Sequence, residues 1–182
     1  MPIEPDVAAL LARLPERMPE LPVDPRRKLP IPAVSQHGDS HDFTAINGEQ
    51  SLWLAQQRRC AICGGDLGYW VAFLGGEKTF QLRGYSDPPM HPACAEASLT
   101  LCPHLRLERA RRASENHALA GATTGAGWME AKPQRWVLGI TRSYDILMSP
   151  ARGGGQIPMF RPAPFKAHRV FGYGPDGWIT EL

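Results

Sequence analysis

The spacing of apolar positions changes several times along the chain, and each change marks a boundary. Val7, Leu10, Leu11 and Leu14 share one side of a helical turn after Pro5, which predicts a short amphipathic helix over 5–14. LPERMPELPVDPRRKLPIP follows, with six prolines in nineteen residues. It predicts an extended segment that crosses a surface and docks Leu and Val side chains at intervals. Ile31–Gln36 predicts the start of a strand, HGDSHD its turn, and Phe43–Ile46 the return. Asn47 with Gln50 three residues on resembles a capping box. The helix it opens, Gly48–Arg58, places Leu52 and Ala55 on one face with Trp53 beside them.

LGYWVAFLGG and Lys78–Arg83 predict two strands joined by a Gly-Gly turn. A helix is expected from Pro92 to just before Pro103, and a charged helical stretch over Leu105–Glu115. Ala120–Gly127 reads as a small-residue linker. RWVLGITRSYDILM then alternates, with Trp136, Leu138, Ile140, Tyr144, Ile146 and Met148 on one face, broken by Arg142. GGGQ is a flexible connection, and PFKAHRVFGY and GWITEL predict two more strands around a Pro-Asp-Gly turn. The pattern predicts an α+β protein. Its expected parts are a Pro-rich arm (1–34), a central module of short helices and strands (35–115), and a C-terminal antiparallel β region (127–182) packed on it.

Composition narrows the function classes. At 182 residues and 43% hydrophobic, the chain can bury a core without metal or disulfides. Its net charge of +2 is too balanced to imply a nucleic-acid partner by itself. No run approaches the roughly 18 apolar residues of a membrane helix. Glu4 and Asp6 stand where a secretory signal carries Lys or Arg, so a cytoplasmic protein without a membrane partner is expected. In that compartment four cysteines are metal ligands or buried thiols before they are disulfides.

The cysteine spacing carries the most chemistry. A redox pair sits where a strand feeds a helix, whose N-terminus stabilises the attacking thiolate. In RRCAICGGDLG the order is reversed: a helix precedes Cys60, and Gly64-Gly65 follow Cys63. Glycines there suit a metal knuckle, in which the chain curls to aim N–H groups at sulfur and positive φ is favoured after the second cysteine. His91 and Cys94, three apart at a helix start, form a second clamp on one turn. Cys60, Cys63, His91 and Cys94 together make a tetrahedral Cys3His set suited to Zn2+. Cys102 lies roughly 12 Å further along the same helix, too far to share the ion, and reads as a buried thiol with Ala95 and Leu99. His104 is the reserve ligand if the helix breaks early.

CAICGG before a predicted hairpin and HPAC at the first turn of a following helix resemble the treble-clef zinc fold, over about Trp53 to Cys102. SLWLAQQRRCAICGG is similar to the lead-in of the zinc knuckle of His-Asn-His endonucleases. LPVD-x-R, RRCAICG, PPMHPAC and CPHL together are similar to uncharacterised zinc-motif proteins of bacteria, notably actinobacteria, and their phages. That resemblance implies a treble-clef-like zinc module and no assigned activity.

Three thiolates and an imidazole fill a tetrahedron, so a structural zinc is favoured over a catalytic one. A nuclease of the type named needs a His in the hairpin behind the knuckle. Between Gly64 and Met90 there is none, Asp66, Glu77 and Asp87 are isolated, and no Asn occurs between Asn47 and Asn116. His37 and Asp39, with a distant His168, could form a two-His, one-carboxylate iron site, though HGDSHD also has the composition of an exposed turn. Arg58, Arg59, Arg106, Arg109, Arg111 and Arg112 could meet phosphates, or could be a solvated face with Glu108 pairing locally. Trp53, Tyr69, Trp70 and Phe73 are expected in the core, with base-stacking platforms the alternative that the sequence does not separate from it. The sequence favours a zinc-stabilised binding or adaptor protein, its partner nucleic acid or protein. The competing class is a metal-dependent enzyme, either a divergent His-Asn-His-like nuclease or a non-haem metal enzyme.

Overall fold

Asn47 opens a helix, α1 (Gly48–Gln56), as its side chain predicts. In the computed structural model, which describes residues 14–42, 46–109, 132–151 and 154–182, Asn47 Oδ1 accepts from the N–H groups of Glu49 at 3.0 Å and Gln50 at 3.2 Å. Two donors that a helix start leaves open are thereby satisfied. The Gln50 amide donates to the Ala33 carbonyl at 3.4 Å instead of reaching back to close a capping box. The buried face carries Ser51, Leu54 and Ala55 in place of Leu52, and Trp53 stands outside it.

The Pro-rich arm docks through spaced apolar side chains: Met18, Leu29 and Ile31 are buried, while Val23 stays exposed. The strand expected over Ile31–Gln36 is shorter. Ala33–Ser35 form a 3-10 turn, and only β1 (Gln36–His37) pairs with β2 (Ser40–His41) around a tight Gly38-Asp39 turn. Residues 43–45, expected in the returning strand, lie outside the described residues, as do the linker Ala120–Gly127 and all but Leu14 of the first predicted helix.

Strand β3 (Val71–Gly76) forms where predicted, but its partner differs. It pairs antiparallel with β4 (Arg135–Thr141), and Lys78–Arg83, expected as the second strand of a hairpin, lies in and at the end of helix α2 (Glu77–Leu82). Glu, Lys, Gln and Leu are good helix formers, and the other edge of β3 is met instead by Met90, which pairs with Ala72. Helix α3 (Pro92–Leu101) opens on its proline and ends before Pro103, as predicted. Of the charged helix expected over Leu105–Glu115, Leu105 and Arg106 belong to a single turn, α4 (Pro103–Arg106), after which Leu107 is extended, and residues 110–115 lie outside the described residues.

The alternating run 135–148 divides at Arg142-Ser143. β4 joins the sheet β3-β4-β7-β8 with β7 (Ala167–Tyr173) and β8 (Ile179–Glu181), whereas β5 (Tyr144–Pro150) pairs with β6 (Gln156–Pro162) in a separate ribbon. β3 is buried on both faces. Ala72 and Leu74 join a large core with Cys60, Cys94, Ala95, Leu99, Trp136 and Leu138; Val71 and Phe73 join a smaller one with Ala55, Tyr85 and Phe160. Among the described residues no helix is long and apolar enough to cross a membrane.

Candidate metal centre

The knuckle is held by its own backbone. Cys60 N–H donates to the Gly65 carbonyl at 2.8 Å, Gly64 N–H to the Cys60 carbonyl at 2.9 Å, and Leu67 N–H to the Arg58 carbonyl at 2.8 Å. Such a curl needs a left-handed residue after the second cysteine, and Gly64 supplies it at φ +70°. Arg58, at φ 50°, ends α1 just before it. The second clamp is brought in by pairing across the sheet edge. Ala72 and Met90 exchange N–H···O bonds at 2.8 and 3.0 Å, and Ala61 N–H donates to the Pro89 carbonyl at 3.0 Å. His91 therefore arrives beside the knuckle, and Cys94 follows in the first turn of α3.

The ligating atoms of Cys60, Cys63, His91 and Cys94 all lie within 4.8 Å of one another. Cys63 Sγ is 3.3 Å from His91 Nδ1, and Cys94 Sγ 3.8 Å from it. A tetrahedral ion bound about 2.3 Å from sulfur and 2.0 Å from nitrogen sets such atoms about 3.5–3.8 Å apart. His91 Nε2 lies 2.8 Å from the Asp66 carbonyl oxygen. A carbonyl only accepts, so the proton sits on Nε2 and the Nδ1 lone pair faces the thiols, the outer contact that orients a metal-ligating imidazole. His91 N–H donates to Cys60 Sγ at 3.3 Å. None of the cysteines is in a disulfide.

The electrostatics fit a cation. Burial opposes a thiolate at Cys60, but hydrogen bonds from the Cys63 and Cys94 side chains and from backbone N–H groups at Cys63 and His91 outweigh it and bring its pKa down to about 3. Cys94 is pushed up, first by its hydrogen bonds to Cys60 and Cys63 and then by burial and their negative charge. A divalent ion at the centre would relieve that conflict by letting every thiol ionise.

Other candidate residues lie elsewhere. Cys102 caps the C-terminal end of α3, His104 sets its ring edge-on to Trp136 at 5.7 Å between centroids, and neither belongs to the cluster. Among the described residues His37, Asp39 and His168 are not brought together; Asp39 is exposed in the β1–β2 turn and His168, on β7, lies against Phe80. The expected arginine cluster is divided. Arg106 is 6% exposed with its guanidinium over Trp178, so it cannot belong to a solvated phosphate-binding face. Arg109 is exposed, and Arg111 and Arg112 lie outside the described residues. Of the four aromatics expected in the core, only Phe73 is there; Trp53, Tyr69 and Trp70 are exposed.

Two participants escaped the sequence. The Asp66 carbonyl anchors His91, but a backbone acceptor leaves no mark in residue type. Arg142, which interrupts the alternation, lies over the Tyr69 and Trp70 rings at 4.8 and 5.1 Å; its place within an apolar run was the available signal. No family model matches the chain, and no curated protein or solved structure is significantly similar to it. The likeness to bacterial and phage zinc-motif proteins therefore rests on the quoted motifs.

Proposed function

We propose that Cys60, Cys63, His91 and Cys94 bind one structural Zn2+, and that the protein is a zinc-stabilised binding scaffold. The observation that carries this is the convergence of four soft and borderline donors within 4.8 Å, with the imidazole already oriented. Three thiolates and a nitrogen in a tetrahedron select zinc over harder, oxygen-seeking ions. Those donors fill the coordination sphere, and Cys60 and Cys94 are 0% and 1% exposed, which leaves no position for a reacting water. The ion would tie the knuckle to α3, two elements otherwise joined by the Ala61–Pro89 hydrogen bond and the contacts of His91 with Asp66 and Cys60. The order knuckle, strand, helix resembles a treble clef in which α2 occupies the place of the second hairpin strand.

Metal analysis of the purified protein is expected to give one equivalent of zinc. Substitution with Co2+ is expected to give the intense visible bands of tetrahedral thiolate coordination. The weak spectrum of an octahedral oxygen site would refute the ligand set.

A further inference from the structure

Around the knuckle, arginines and exposed aromatic rings alternate. Trp53, Tyr69 and Trp70 are 47%, 63% and 39% exposed, unusual for side chains of their size. Each has a guanidinium beside it: Arg59 at 5.7 Å from the Trp53 ring, and Arg142 over both Tyr69 and Trp70, which meet edge-on at 5.0 Å. Arg58 lies 5.7 Å from the Tyr144 ring, two residues from Arg142, and so links the two groups. Tyr69 is three residues beyond Asp66, which pairs with Arg59, so at most about 11 Å of chain separates Tyr69 from the residue that Arg59 faces. Of the carboxylates close by, Asp66 faces Arg59 at 3.7 Å and Asp145 faces Arg161 at 3.0 Å, while Glu49 stands one helical turn before Trp53. Beside Trp53 and Arg59 a groove of about 450 Å³ is walled also by Gln36, Gln50 and Cys63.

We propose that this arginine–aromatic strip binds single-stranded nucleic acid. The proposal rests on the zinc-staple reading, because the knuckle fixes Arg58 and Arg59. Unpaired bases present π-faces that stack on exposed rings, and the guanidiniums next to those rings meet the phosphates between bases. In the groove, the Trp53 ring offers a flat wall and the glutamine amides offer donors and acceptors to a base edge. A duplex hides its base faces, so the rings would have nothing to stack on. Tryptophan, tyrosine and arginine also anchor protein interfaces, so an acidic polypeptide enters the test as the competing partner.

The test uses the zinc-loaded full chain, a fluorescently labelled twelve-nucleotide oligothymidylate, and tryptophan quenching alongside anisotropy. Binding is expected to quench tryptophan emission and to weaken with salt, with a log–log slope of about −2 for three phosphate contacts. Trp53→Ala and the double variant Tyr69→Ala/Trp70→Ala are each expected to weaken binding about 5-fold or more. Arg142→Gln is expected to make the slope shallower by about 0.7. Wild-type affinity in the ring variants, with one zinc retained, would overturn the surface and leave the staple intact. Equal binding of a duplex would overturn the stacking role, and equal binding of polyglutamate would point to an acidic protein instead. Wild-type protein without zinc would sink the staple and this proposal with it.

Discussion

The two faces of β3 pack on cores of different kinds. Ala72 and Leu74 face a layer that contains Cys60 and Cys94, where four polar ligands sit among apolar side chains. Val71 and Phe73 face an aromatic layer of Tyr85 and Phe160, with the Phe73 and Tyr85 rings 5.0 Å apart. One face holds groups whose charges conflict until a cation is bound. The other is closed by apolar area and shape together with neutral hydrogen bonds such as the Tyr85–Phe160 backbone pair. On the zinc reading, the strand is clamped on one side by coordination, which chelators and acid would reverse, and on the other by burial, which they would not.

The largest expected effect breaks the coordinated face. Cys60→Ser removes a buried donor, and the remaining thiols cannot hold the ion as tightly. Structural zinc sites of peptides contribute roughly 10–16 kcal/mol, so loss of several kcal/mol and of a cooperative unfolding transition is expected. Near-ultraviolet circular dichroism with parallel metal analysis checks this. A variant that keeps both fold and zinc would show that the coordinated face does not need its metal.

The aromatic face is broken next, by Phe160→Ala. Phe160 is 0% exposed, and its N–H and carbonyl both bond to Tyr85, at 2.7 and 2.9 Å. Truncation is expected to cost about 3–5 kcal/mol in denaturant unfolding, with one equivalent of metal retained under native conditions. Loss of zinc in this variant would mean that the two faces are one cooperative structure.

The same contrast decides what could be read from sequence. Ligand spacing is local: CxxC and HxxC each fit on one turn, so the metal cluster was legible before any fold was known. The Asn47 cap, the Pro92 start of α3 and the Trp136–Leu138–Ile140 face of β4 were legible for the same reason. The aromatic layer depends on pairings between distant segments. Apolar alternation over 135–148 continues across a change of sheet, so it cannot show that β5 leaves with β6. β6 itself is masked by Pro158 and Pro162. Because Phe160 N–H points away from β5 toward Tyr85, prolines two residues to either side also have their nitrogens turned out of the β5 ladder and cost it no bond. The exposed rings were misread because size and apolarity place most tryptophans inside, and only tertiary structure shows Arg142 arriving over Tyr69 and Trp70.

A finer test probes how tightly the aromatic face is fitted. Gly139 stands opposite Phe73 in the β3–β4 ladder, and a Cβ there would lie 2.5 Å from the Phe165 ring. Phe165 stacks on Phe80 at 4.8 Å, which limits its retreat. Gly139→Ala is expected to cost about 1–3 kcal/mol, read as a lower denaturation midpoint with zinc unchanged. No change in midpoint would mean that this face repacks freely.

The smallest effect lies at the rim of the coordinated face, where ionic contacts join α3 to the sheet. Arg169 donates to Glu181 through Nε and Nη2, both at 2.7 Å, and its Nη1 lies 3.1 Å from Glu96 of α3. Its hydrogen bonds to Glu181 hold that carboxyl below its ordinary pKa. A carboxylate depressed in the folded state adds stability that is fully present above its unfolded pKa and disappears as pH falls through the folded one. All three side chains are largely solvated, so the contribution is small and screened by salt. Glu181→Gln is therefore expected to lower the unfolding midpoint slightly at neutral pH and low salt, with the difference from wild type closing in acid. Acid would also release the proposed zinc, so the comparison is made between the two proteins at each pH, with zinc content measured alongside. A difference that widened in acid while both retained zinc would mean that Glu181 acts through something other than its charge on Arg169.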